Sequence, residues 1–137
     1  MFYPAKVEQV GDRYNISFRD IPEAIRCTDY SVQVPKLAEE VLLTAIASYF
    51  ADRRPVSLPS LVQQGEILAK VSMTVFAKIL LLNAMIEQNI SNIELAYRLN
   101  LSQHDIEQLL SPHQETEIEH IDQALTALGK RLAMTTV

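Results

Sequence analysis

The stretch Ile90 to Leu110, I-S-N-I-E-L-A-Y-R-L-N-L-S-Q-H-D-I-E-Q-L-L, decides how the second half of this chain is built. Ser91 offers a hydroxyl to an orphan backbone N–H at a helix start, and Glu94, three residues later, is placed to close a capping box. Ile93, Leu95, Ala96 and Leu99 then supply an apolar side, with the small Ala96 allowing a second helix to approach. Asn100 tolerates positive φ and stops the helix. Leu101 is expected to plug the core. Ser102 caps a second helix, with Asp105 as the acidic partner of its box and Ile106, Leu109 and Leu110 facing inward. The pattern reads as a helix-turn-helix, whose second helix enters the major groove of DNA. On that reading Ser102, Gln103, His104 and Gln108 are the candidates for base contacts, and Ser91, Asn92 and Arg98 for phosphate contacts.

Working outward, Ser72 to Gln88 reads as a helix with two apolar rows, one through Val75, Ile79, Leu82 and Ile86 and another through Phe76, Leu80, Leu81 and Met85. Glu115 to Leu132 reads as a further helix, with Lys130 and Arg131 in its last turn. A helix on each side of the pair predicts a four-helix DNA-binding domain, and the surplus apolar surface predicts a homodimer that reads paired half-sites, with a dimer of dimers as a further step. Charge opposes tight binding by one subunit. Residues 71–137 carry four Lys/Arg against eight Asp/Glu, within a chain of net charge −5. An acidic chain of this kind suits a basic protein partner better than nucleic acid alone.

The first half has the period of strands. Tyr3, Ala5 and Val7 alternate with Lys6 and Glu8, Gly11-Asp12 turns, and Tyr14, Ile16 and Phe18 alternate with Asn15, Ser17 and Arg19, which predicts a β-hairpin. Ala24 to Thr28 is expected as a third strand with Cys27 in or near the sheet core. A helix follows from Val34 or Pro35 to about Asp52, its stripe running through Leu37, Val41, Ala45 and Ser48 and widened by Ala38, Leu42 and Tyr49. The loop 53–65 carries two prolines, and Glu66 to Val71 gives a fourth strand. The order is β-β-β-α-β, and the expected domains are 1–71 and 72–137.

Chemistry-bearing motifs are sparse. A nuclease would gather carboxylates at strand ends around metal ions, but Asp12, Asp20, Glu23 and Asp29 all fall in turns. His104, His113 and His120 make no metal-binding pair, and no glycine-rich phosphate loop or nucleophile elbow occurs, so neither an enzyme nor a cofactor or metal site is expected. The single Cys27 has no partner for an internal disulfide, and with no signal peptide and no apolar run of membrane length the expected location is the cytoplasm, away from any membrane.

The string Phe18-Arg19-Asp20-Ile21-Pro22-Glu23-Ala24, followed by Leu42-Leu43-Thr44-Ala45, Leu58-Pro59-Ser60, Lys78-Ile79-Leu80-Leu81-Leu82-Asn83-Ala84, the helix pair and Ala127-Leu128-Gly129-Lys130, resembles HicB-family antitoxins of the longer, helix-turn-helix type. The resemblance covers nearly the whole chain. It implies an α+β protein in which a degenerate ribonuclease-H-like domain binds and blocks a small basic HicA-type toxin that cleaves mRNA, while the C-terminal domain binds the operon's own operator DNA as a dimer. It departs from the family pattern at Asn100, where glycine is common, and in a recognition helix without basic residues. For toxin contacts the candidates are Asp20 and Glu23, exposed acids after the hairpin. Two other classes stand beside this reading: a ligand-sensing transcriptional regulator with no toxin partner, and an active nuclease.

Overall fold

A computed structural model describes residues 1–136. The elements run β1 (Phe2–Val10), β2 (Arg13–Ser17), β3 (Ile25–Thr28), α1 (Val34–Asp52), β4 (Ile67–Lys70), α2 (Met73–Gln88), α3 (Asn92–Leu99), α4 (Gln103–Leu109) and α5 (Ile118–Ala127), with one 3₁₀ turn before α1. This is an α+β layout, and its first half has the expected β-β-β-α-β order. The chain divides into two compact units, residues 1–49 with 56–72 and residues 50–55 with 73–137. No described helix is long and apolar enough to cross a membrane.

In the first unit the four strands form one antiparallel sheet in the order β3-β2-β1-β4. Alternation decides which side is buried. Tyr3, Ala5, Ile16 and Ala69 are solvent-free or nearly so, while Lys6, Glu8, Asn15 and Leu68 are exposed. Val34, Ala38, Val41, Leu42, Ala45, Ile46 and Tyr49 are the buried side of α1. The expected stripe is therefore rotated slightly: Leu37 is only half-buried, Ser48 is exposed, and Ile46 takes an inner place. Cys27 does not lie in the core. Its register partner is Asn15, whose side of the strands is the exposed one, so the thiol is exposed as well.

In the second unit α2 to α5 surround one cluster: Ala77, Leu81, Ala84 and Met85 from α2, Leu95 from α3, Ile106 and Leu109 from α4, and Ile121, Ala124 and Leu125 from α5, with Ile90 and Leu128 at connections. Three of these helices end alike. Asn89, Asn100 and Gly129 each take a left-handed φ, of 54°, 54° and 75°. The N–H one residue beyond each returns to the carbonyl five residues back: Ile90 to Met85, Leu101 to Ala96, Lys130 to Leu125. This is the Schellman motif, which satisfies the last carbonyls and reverses the chain. It also corrects an expectation. Gly129 stops α5 early, so Lys130 and Arg131 lie beyond the helix and not in its last turn. Of the two apolar rows of α2, Val75, Ile79 and Leu82 of the first and Leu81 and Met85 of the second are buried, while Ile86, Phe76 and Leu80 are half-buried.

Candidate functional site

The helix pair is set by local chemistry. Ser91 sits in extended conformation before α3, and its hydroxyl accepts the Glu94 N–H at 3.1 Å. The Glu94 carboxylate turns instead to Arg98, accepting from its guanidinium at 2.9 Å. Ser102 makes the complete box: its hydroxyl accepts the Asp105 N–H at 3.1 Å and its own N–H donates to the Asp105 carboxylate at 3.4 Å. Leu95, Ile106 and Leu109 are buried beneath the pair. Two residues expected inside are not. Leu101 is 41% exposed and Ile93 74% exposed, because the left-handed turn carries Leu101 past the cluster and Ile93 lies on the far side of α3. Tyr97, one turn on from Ile93, is 87% exposed.

The pair leaves Gln103, His104, Glu107 and Gln108 exposed on α4. Ser102 is exposed too, but its hydroxyl already accepts one bond as a cap. Of the phosphate candidates, Ser91 is a cap, and Asn92 is half-buried with its side-chain oxygen accepting from Arg53 at 2.9 Å. Arg98 is divided between Glu94 and the Ala127 carbonyl, at 3.5 Å. Sequence reasoning missed Arg53. It stands just beyond α1 at φ 52° and also donates to the Ile90 carbonyl, so a guanidinium lies at the start of α3. A cavity of about 490 Å³ opens beside α4, lined by Leu99, Leu101, Asp105, Gln108, Glu115, Glu117 and His120 among others. Acidic groups thus border the face that would meet phosphates.

Lys78 was the other missed residue. Its side chain is fully buried, and its ammonium donates to the carbonyls of Gln108 at 3.1 Å, Ser111 at 2.8 Å and Gln114 at 2.8 Å. These are carbonyls at and beyond the end of α4, which the favourable end of the helix dipole leaves in need of donors. Burial draws the ammonium down to about 8 from an ordinary 10.5. Lys78 therefore orients the exit of α4 and adds nothing to the charge of the exposed face. The signal in the sequence was a lone lysine inside an apolar run.

In the first unit, the two acids singled out for partner contacts have internal partners. Asp20 is half-buried, and its carboxylate accepts from the N–H and the hydroxyl of Ser60, both at 2.9 Å. Glu23 is exposed and accepts from the Tyr49 hydroxyl on α1. Asp29 pairs with Arg13 at 3.1 Å. Asp20, Glu23 and Asp29 are thus tied to separate partners, and among the described residues no group of three or more His, Cys, Asp or Glu is placed to hold a metal ion. Beside Asp20, Arg19 donates to the Ser60 hydroxyl at 2.9 Å, to the Leu61 carbonyl and to the Glu66 carboxylate. The Arg19 bond holds the Glu66 carboxyl below its usual value. Tyr3 donates to the Ser57 carbonyl at 2.7 Å, and its hydroxyl is pushed up by burial and by the Asp20 charge.

Residues 2–80 match the model of the HicB-like antitoxin of bacterial toxin-antitoxin systems. Antitoxin HicB 2 of Photorhabdus laumondii is 37% identical over 100% of this chain and 97% of its own length. The chain belongs to the HicB-like antitoxin family. Antitoxin HicB of Escherichia coli K12 is 36% identical over the whole of both chains, and Antitoxin HicB of Pseudomonas fluorescens is 25% identical over 97% of this chain. The match to the antitoxin model ends inside α2, so the sequence that defines the family as antitoxins lies before the helix pair. The full-length relatives extend over the helix pair as well. Membership in this family implies a toxin partner.

Proposed function

We propose that this antitoxin binds a small basic HicA-type RNA-cleaving toxin through its first unit, blocks it without catalysis of its own, and represses its own operon through α3 and α4. One observation carries the second half of this reading: a capped, left-handed turn between two short helices fixes an exposed row of Gln103, His104 and Gln108 on a rigid backbone, as a major-groove reader requires. Gln103 and Gln108 offer amides to adenine edges. Arg53 and the Asn92 amide supply the phosphate side at the start of α3, and Arg98 joins them when it releases Glu94. Because acids border this face, one subunit holds DNA weakly. A homodimer on paired half-sites raises the affinity, and the exposed Ile93 and Tyr97 give it an apolar surface.

Fluorescence anisotropy on DNA taken from immediately upstream of the gene, over a salt series, tests this. Salt-sensitive binding by the wild type, lost in the double variant Gln103→Ala and Gln108→Ala, is the expected result. Absence of binding at low salt would remove the repressor role and leave α2 to α5 without a DNA target.

A further inference from the structure

Fourteen residues separate α1 from β4 with no helix or strand among them. Connections of that length are uncommon inside compact units and are usually either functional or disordered. This one is not loose. Between Ser57 and Glu66 it is fastened by the Tyr3 hydroxyl, by both oxygen-directed bonds of Ser60 to Asp20, and by three guanidinium bonds from Arg19. The other oxygen of Glu66 accepts the Gln63 N–H at 2.6 Å and closes the loop on itself. What this fastening displays is apolar: Leu61 is 89% exposed, with Leu58 and Val62 about half exposed. A shallow cavity lined by Lys6, Phe18, Arg19, Gln63 and Glu66 lies beside it.

Holding leucines in water on an ordered backbone opposes folding and favours docking. Covering such a side chain removes apolar surface from water, and a backbone already ordered loses little entropy when a partner arrives. The occupant follows from position and charge. The loop lies entirely within residues 2–80, the part that matches the antitoxin model. The unit that carries it has six basic and eight acidic residues, a balance that suits a basic partner.

We propose that residues 57–66 are a pre-shaped docking loop for the toxin, with Leu58, Leu61 and Val62 as its anchors and Arg19 and Asp20 as positioning residues that hold it. The assignment rests on the antitoxin reading above. It moves Asp20 from a direct contact to a support: its carboxylate is directed at Ser60.

Calorimetric titration of the full chain with the purified protein encoded beside its gene tests the loop. Leu61→Glu changes a solvent-facing side chain, so its thermal melting stays that of the wild type while Kd rises about 100-fold, as for the loss of a central anchor. Val32→Glu, at an 87% exposed position outside the loop, leaves Kd within about twofold. Arg19→Ala raises Kd about 10-fold and accelerates amide exchange of residues 57–66, whereas Leu61→Glu leaves that exchange unchanged. A Leu61→Glu Kd within about threefold of wild type overturns the proposal. So does a Leu61→Glu variant that only dissolves self-association of the antitoxin. No binding by the wild type would overturn the antitoxin reading, and this assignment with it.

Discussion

The turn at Asn100–Ser102 is held by residues within five positions of itself, through the left-handed Asn100, the Leu101 bond to Ala96 and the Ser102–Asp105 box. The loop at 57–66 is held by Tyr3, Arg19 and Asp20, which are 40 to 54 positions away. Both display side chains on a fixed backbone, but the first carries its geometry in its own sequence and the second acquires it only once the sheet has formed. A display built the first way carries its shape in its own short-range bonds. A docking surface built the second way is coupled to the fold beneath it, so loss of the sheet is also loss of the surface.

The helix pair nevertheless has distant supports, Arg53 at the start of α3 and Lys78 at the exit of α4, and breaking the second gives the largest effect. Lys78→Met removes the donor of three carbonyls around the exit of α4, and the unfolding free energy should fall by about 3 kcal/mol in urea melts. An unchanged midpoint would mean that water replaces the ammonium without loss. The same residue gives the wild type a pH signature. Its pKa is lower folded, about 8, than unfolded, 10.5, so between these values the unfolded chain binds more protons. Wild-type stability relative to Lys78→Met should therefore rise from pH 8 towards 10.5, and a flat difference would contradict the burial.

Local changes should be smaller. Ser102→Ala removes the cap of α4 and is expected to destabilise the chain by about 1 kcal/mol, with no effect on amide exchange in residues 57–66. Asn100→Gly relieves a side chain from left-handed backbone and should stabilise by about 0.5 kcal/mol; destabilisation would show that the Asn100 side chain has a role beyond its φ. The smallest effect belongs to the loop. The Glu66 carboxyl is held below its unfolded value of 4.5, so its tie is complete above that pH and is lost as pH falls through the lowered folded value. The amide resonances of Ser60 and Gln63 should shift together below pH 4.5, and independent shifts would dissolve the proposed network.

The same division explains what could be read before the fold was known. The Ser91 and Ser102 caps, the Asn100 turn and the alternating strands are short-range patterns and appear where the sequence places them, except that the Glu94 carboxylate turns to Arg98 and leaves the first box open. Ile93 and Leu101 were misplaced because an eight-residue helix with apolar residues on two sides leaves its buried face ambiguous. Cys27 was misplaced because β3 is an edge strand with only Thr28 buried. The end of α5 was overrun because Gly129 was read as part of the helical pattern and not as its stop. Arg53 is illegible for a different reason, and Lys78 shows only as a lone lysine in an apolar run: a charged residue in sequence implies solvent, and only the tertiary arrangement reveals the carbonyls that receive it. Asp20 and Glu23 read as exposed acids after a hairpin, which holds for Glu23 while Asp20 is half-buried; their partners, Ser60 and Tyr49, lie too far along the chain for spacing to indicate.

The most direct test of the antitoxin account is growth of cells expressing the proposed HicA-type toxin, with and without this chain, the soluble level of both proteins being followed. The account predicts that growth stops with the partner alone and returns when this chain is present. Continued arrest with soluble antitoxin in excess would contradict it.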